Sequence, residues 1–225
     1  ALVVDSASSI GQTGAISAGA TNLTGIAITL TEANNFGAIT VNAGTGNVSI
    51  TENAAMSISG ISHTGNLVLI AAGPITQTGA VNISGTSGIS AGANAITLTN
   101  GANDFGGTVT LSNAAGASQI TDANAIAVGN STLGGSLTVS SGGLITLGSV
   151  TTSGTQQYNN SVSVGGTYNT GGGNFSVTGA TGVAGGSTIT SGAGNVMLAG
   201  DVNAGAALTV TTARWSSWST CSIRT

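Results

Sequence analysis

Six carboxylates, one imidazole and one thiol are the groups whose chemistry could drive a reaction here: Asp5, Glu32, Glu52, Asp104, Asp122, Asp201, His63 and Cys221. Acid–base cleavage of a glycan would need two carboxylates converging on one face, with a cation to hold charge. Glu32 and Glu52, like Asp104 and Asp122, are spaced so that they could stack as neighbours on adjacent coils. Glu52 and Asp122 each follow an Ile-Thr pair at the same place in two repeats, where an acidic side chain caps a turn. His63, in Ile61-Ser62-His63-Thr64-Gly65, has no second His and no acid close in sequence, and reads as a solvated turn residue. Cys221 is the only cysteine, so there is no intrachain disulfide and no Cys/His cluster for a metal. The sequence therefore assigns no catalytic residue, no cofactor-binding residue and no metal ligand.

Hydroxyls are the other candidate chemistry. The pairs Thr29/Thr31, Thr97/Thr99, Thr108/Thr110, Thr188/Thr190 and Thr209/Thr211 point to one side of a strand with an aliphatic residue between them. One such pair per coil on a flat face orders water, as in ice-binding proteins. The irregular intervals between these pairs predict that they scatter over several faces.

Charge excludes whole classes of partner. Residues 1–213 hold no Lys or Arg; the two cations, Arg214 and Arg224, lie near the end. A surface without cations cannot neutralise phosphates, so nucleic acid and anionic lipid are excluded. No apolar run approaches the roughly 20 residues of a membrane span. Charged residues are 4% of the chain, against the roughly 25% usual in soluble domains. Aromatics are 3% while hydrophobic residues are 40%, so the core must be built from small aliphatic side chains.

Those side chains recur in a cassette: aliphatic, Thr or Ser, aliphatic. Examples are Ile28-Thr29-Leu30, Val48-Ser49-Ile50, Ile96-Thr97-Leu98, Val109-Thr110-Leu111, Leu137-Thr138-Val139 and Ile145-Thr146-Leu147. Each is a period-2 alternation, the mark of a half-buried strand, and Gly, Asn and Ser fill the gaps. A longer repeat overlies the cassettes. Ile10-Gly11-Gln12-Thr13-Gly14-Ala15 returns as Ile75-Thr76-Gln77-Thr78-Gly79-Ala80, Asn35-Phe36-Gly37 as Asp104-Phe105-Gly106, and Ile50-Thr51-Glu52 as Ile120-Thr121-Asp122. A degenerate third copy includes Asn174-Phe175-Ser176-Val177. Self-similarity of this kind marks a solenoid. The expected fold is all-β: a parallel β-helix of about nine or ten coils of roughly 20–25 residues, giving a rod about 45 Å long at about 4.8 Å per stacked strand. The β-solenoid is expected over 1–213, with 214–225 a non-solenoid tail whose Cys221 ending suggests truncation or a shifted frame. The start at Ala1-Leu2-Val3-Val4 lacks a polar cap and suggests a piece of a longer rod. Six Asn-x-Ser/Thr sequons add a weak hint of surface glycosylation.

The run Asp104-Phe105-Gly106-Gly107-Thr108-Val109-Thr110-Leu111, leading into Gln119-Ile120-Thr121-Asp122-Ala123-Asn124-Ala125-Ile126, resembles the repeat arrays of filamentous-haemagglutinin-like exoproteins. The likeness covers about residues 8–213. Arg214-Trp215-x-x-Trp218-Ser219-Thr220 is similar to a segment that closes some of these arrays, and Cys221-Ser222-Ile223-Arg224-Thr225 departs from it. The resemblance implies a right-handed β-helix, two-partner secretion, and display at the bacterial cell surface as the non-catalytic shaft of an adhesin. Its partners would be an outer-membrane secretion pore, met transiently, and a ligand on a host or neighbouring cell bound through regions outside this segment. A carbohydrate-binding or carbohydrate-active β-helix and an ice-binding solenoid are the alternatives.

Overall fold

The computed structural model describes residues 1–213 and the short strand Ile223–Arg224. It contains no helix among the described residues; parallel strands stack in about 11 turns, forming a β-solenoid. The parallel β-helix expected from the cassettes is therefore what the chain forms. The turns are slightly shorter and more numerous than expected. Their length also varies: Thr21 lies beside Ile39, whereas Ile96 reaches its neighbour Ser118 only after a longer stretch of chain. At about 4.8 Å per turn the rod is about 50 Å long.

Each turn runs along three walls, seen most plainly in the second half of the rod. Leu137–Ser141 lies on wall A, Ile145–Leu147 on wall B and Val150–Thr152 on wall C, and the chain then returns to wall A at Gln156–Asn159. Wall A is a continuous ladder of eleven strands from Leu2–Asp5 to Val196–Leu198. Wall C runs from Ile10–Gly11 through Val48–Glu52 and Val109–Asn113 to Leu208–Thr212. Within the expected tail, Ile223–Arg224 pairs in parallel with Val202–Ala204 of wall B. Arg214, Trp215, Trp218 and Cys221 lie outside the described residues.

The alternation of the cassettes decides which side chains enter. In the turn just described Leu137, Val139, Ile145 and Val150 have no exposed surface, while Thr138 and Thr146 between them face outward. Each buried aliphatic side chain contributes about 1.5–3 kcal/mol, and every turn adds such a layer. Three rings widen the core near its C-terminal end: Phe175 lies 5.4 Å from Tyr158 and 5.6 Å from Tyr168, centroid to centroid. Buried hydroxyls need acceptors. Tyr158 donates to Gln156 Oε1 at 3.0 Å, and Tyr168 to the Leu147 carbonyl at 3.1 Å.

The corners are tight. Gly46, Gly65, Gly85 and Gly107 occupy one corner on successive turns, and a methyl group added to any of the last three would strike the carbonyl of the glycine one turn below. Asparagines take over elsewhere: Asn47 Oδ1 accepts the Asn66 N–H at 3.0 Å, and Asn66 Oδ1 the Thr86 N–H at 2.9 Å. Each side chain thus holds the backbone of the next turn, as stacked Asn ladders do in cross-β structures.

The long repeat has a geometric consequence. It spans about three and a half turns, so equivalent strands fall on different walls. Ile10 stacks on Ile28 in wall C, whereas its counterpart Ile75 stacks between Met56 and Ile96 in wall A. Ile39 is on wall A and its counterpart Val109 on wall C.

Candidate functional site

The two repeat copies build the same polar network in the rod wall, atom for atom. Asn34 and Asn103 have no exposed surface. Gln12 Nε2 donates to Asn34 Oδ1 at 2.8 Å while Asn34 Nδ2 donates back to Gln12 Oε1 at 3.0 Å; Gln77 and Asn103 repeat both bonds at the same lengths. Asn34 Oδ1 also accepts the Ile16 N–H, and Asn103 Oδ1 the Val81 N–H, each at 2.9 Å. Their amides donate on to the carbonyls of Leu30 and Thr51 in one copy, and of Leu98 and Thr121 in the other. Sequence reading passed over Asn34, Asn103, Gln12 and Gln77, although the repeated Gln and the Asn before Asn35-Phe36 and Asp104-Phe105 were visible. In the third copy the position equivalent to Asn103 is Gly173, so the network is absent there.

The acids divide by environment. Glu52 is 1% exposed and its carboxylate accepts the Phe36 N–H at 3.1 and 3.2 Å. Asp122 is 2% exposed; it accepts the Phe105 N–H at 2.7 Å and the Asn124 N–H at 2.8 Å. They do cap turns, but from inside the wall, and the Phe N–H each holds belongs to the preceding turn. Burial pushes both carboxyls above their ordinary values, opposed by these hydrogen bonds; Asp104 adds a smaller upward push on Asp122. Glu32 is exposed, and Glu52 stacks beside Asn34 instead. Glu52 and Asp122 themselves lie about three and a half turns apart. Asp104 and Asp122 do lie on adjacent turns, as their spacing suggested, with Asp104 exposed and Asp122 committed to the Phe105 and Asn124 N–H groups.

His63 corrects the sequence reading: it ends the strand Met56–His63 and is 4% exposed, not a solvated turn residue. A bulge beside Ile39 and Thr40 of the neighbouring strand shifts the alternation that starts at Met56, so Ile61 and His63 turn inward, on the side that Ile83 and Phe105 occupy in the next two turns. Its Nδ1 accepts the Gly65 N–H at 3.1 Å, which places the ring proton on Nε2. Nε2 is buried and has no hydrogen-bond partner among the described residues. Burial lowers the imidazole pKa, with the Gly46 backbone acting weakly the other way. The ring borders a hollow of about 330 Å³ shared with Asn82, Ser84 and Asp104. With Nδ1 already committed and Nε2 protonated, the ring offers no lone pair to a metal or a substrate proton. Among the described residues no group of three His, Cys, Asp or Glu side chains could hold a metal ion.

The outward hydroxyls gather where the sequence predicted scatter. Along wall C two outward columns run in register. The first passes through Thr29, Ser49, Val68, Gly88 and Thr110, and the second through Thr51, Ile70, Ser90, Ser112, Thr132, Thr151, Asn169, Thr190 and Thr211. The first column resumes at Thr167, Thr188 and Thr209. Thr29, Thr110, Thr188/Thr190 and Thr209/Thr211 therefore share one wall, and of the five pairs only Thr97/Thr99 begins elsewhere, on wall A. The irregular intervals arose because intermediate rungs carry Ser, Asn, Val or Gly in place of Thr.

Comparison with known proteins gives one family. The model of the repeats of unknown function DUF5649 matches residues 45–112 and 115–162, just over half of the chain. The second matched unit begins about three and a half turns after the first, in step with the long repeat. No curated protein and no solved structure matches the chain.

Proposed function

We propose that this chain, which belongs to the repeats of unknown function DUF5649, is a non-catalytic shaft segment of a secreted or surface-displayed bacterial adhesin. The observation that carries the reading is the unbroken parallel ladder of wall A, one strand per turn along the whole rod. A solenoid with each turn hydrogen-bonded to the next converts chain length into reach, here about 50 Å. Its outer surface supports the same role. Acids are sparse, and Lys and Arg are absent from 1–213, so trypsin-like cleavage finds no site there. The described Phe and Tyr side chains are all buried, so a sugar finds no exposed ring among them to stack upon. Turn-by-turn stacking buries an aliphatic layer with each coil, a driving force able to draw an unfolded chain through an outer-membrane pore without ATP. In this reading the pore is a transient partner, and the cell-surface ligand is bound by other regions of the parent protein.

Export from the producing cell is the test. The native protein reaches the surface or medium, as does Thr76→Asp at an exposed wall A position. Val109→Asp, which places a charge at a fully buried rung of wall C, is retained and degraded. Native protein that stays inside the cell, or Val109→Asp exported as well as native, would overturn the reading.

A further inference from the structure

Wall C carries a feature that a spacer does not require. From Thr110/Ser112 to Thr209/Thr211, six consecutive turns present the outward column Ser112, Thr132, Thr151, Asn169, Thr190 and Thr211 in register, joined by Thr110 on the first turn and by Thr167, Thr188 and Thr209 on the last three. None of these ten side chains is buried. Solenoid stacking spaces the rungs by about 4.8 Å along the rod, and two residues along a strand span about 6.7 Å across it. The last three turns thus carry a rectangular lattice of small hydrogen-bonding groups, and one of its columns continues along the rod to Ser112. Its two repeats lie close to the oxygen repeats along the a and c axes of hexagonal ice.

Two independent observations separate this wall from ordinary strand threonines. First, most of its hydroxyls are unspent: those of Thr132, Thr151, Thr188, Thr190, Thr209 and Thr211 make no hydrogen bond among the described residues. At the two turns where the column through Thr110 is interrupted, Asn130 Oδ1 and Ser149 Oγ instead accept the N–H groups of Ser149 and Thr167 at 2.9 and 3.1 Å. Second, residues 123–200 contain no Asp, Glu, Lys, Arg or His; of the two acids between Thr110 and Thr211, Asp122 is buried and Asp201 directly precedes the wall B strand Val202–Ala204. Ions hold hydration shells that do not fit a crystal lattice; hydroxyls and methyl groups on a rigid ladder tolerate ordered water. Wall A offers no such lattice, for Gln119, Gln157 and Met197 interrupt its outward column.

We infer that wall C between Thr110 and Thr211 is an ice-binding surface, its ligand crystalline water. The chain would adsorb to ice through this wall while the core keeps the columns straight. The inference does not depend on the adhesin reading, because it concerns the purified rod and needs neither export nor a cell-surface ligand.

The experiment measures thermal hysteresis and ice recrystallisation with the purified full chain. Native protein separates melting from freezing and shapes ice crystals. A Thr188→Tyr/Thr190→Tyr variant, shown by circular dichroism to be folded, loses at least nine-tenths of the hysteresis, while Thr76→Tyr on wall A retains it. Folded native chain without hysteresis or ice shaping would overturn the inference. So would equal loss in both variants, or a wall C variant that alters only self-association in sedimentation while native chain leaves ice unaffected.

Discussion

Replacing Asn103 by Ala removes the amide around which one repeat copy is organised. Its Oδ1 holds the Gln77 amide and the Val81 N–H, and its Nδ2 holds the carbonyls of Leu98 and Thr121. Val81 and Leu98 have no exposed surface, so water cannot readily replace the lost partner. An unsatisfied buried donor or acceptor costs about 1–3 kcal/mol. Losing the Val81 acceptor and a donor at each of two carbonyls therefore destabilises the rod by about 3–5 kcal/mol; Gln77, half-buried, recovers water and adds little. Because Asn34 makes the same bonds in the other copy, Asn34→Ala carries a comparable cost. Exposed Asn195 serves as control, and its Ala variant shifts stability by less than about 0.5 kcal/mol. The assay is urea unfolding followed by far-ultraviolet circular dichroism, with midpoints compared at constant slope. Asn103→Ala within about 1 kcal/mol of the native chain would refute the reasoning, since the amide would then be replaceable by water.

Two further outcomes follow from the geometry. Gly85→Ala forces a methyl group against the Gly65 carbonyl and lowers stability by about 1–3 kcal/mol, whereas Gly88→Ala on open wall C is nearly neutral; equal melting temperatures for the two variants contradict the stacked corner. The pH response separates the buried groups. The His63 pKa is lowered on folding, so its contribution is complete above the unfolded value of 6.5 and is lost as pH falls below it. Glu52 and Asp122 are raised, so their contribution is present below 4.5 and 3.8 and is lost as pH rises through their folded values. His63→Leu then reduces the loss of stability between pH 7 and pH 5 in urea titrations, and an unchanged pH slope would show that the ring is not the group responsible.

Strand positions were legible because alternation is a local property: Ile28-Thr29-Leu30 or Leu137-Thr138-Val139 declares its inner and outer sides without reference to anything distant. Stacking was legible because Gln12 and Gln77, or Glu52 and Asp122, recur in like company. The inward turn of His63 was not. Its strand begins at Met56 and carries a bulge, with the register shifting between Ile39 and Thr40 of the neighbouring strand, so the phase at position 63 depends on pairing with another turn. The burial of Glu52 and Asp122 was equally hidden, since the N–H each accepts belongs to a phenylalanine on the preceding turn.

From composition, alternation and repeat alone came a sparsely charged, aliphatic, all-β solenoid without cations from Ala1 to Ala213. Only tertiary structure decided which outward residues share a wall. The step between turns is shorter from Thr21 to Ile39 than from Ile96 to Ser118, set by how many Gly, Asn or Ser each corner takes up. No fixed period therefore links Thr29, Thr110, Thr188 and Thr209 along the chain. Backbone hydrogen bonds between turns absorb that variation at the corners and keep the strands in register. They bring those threonines into one column.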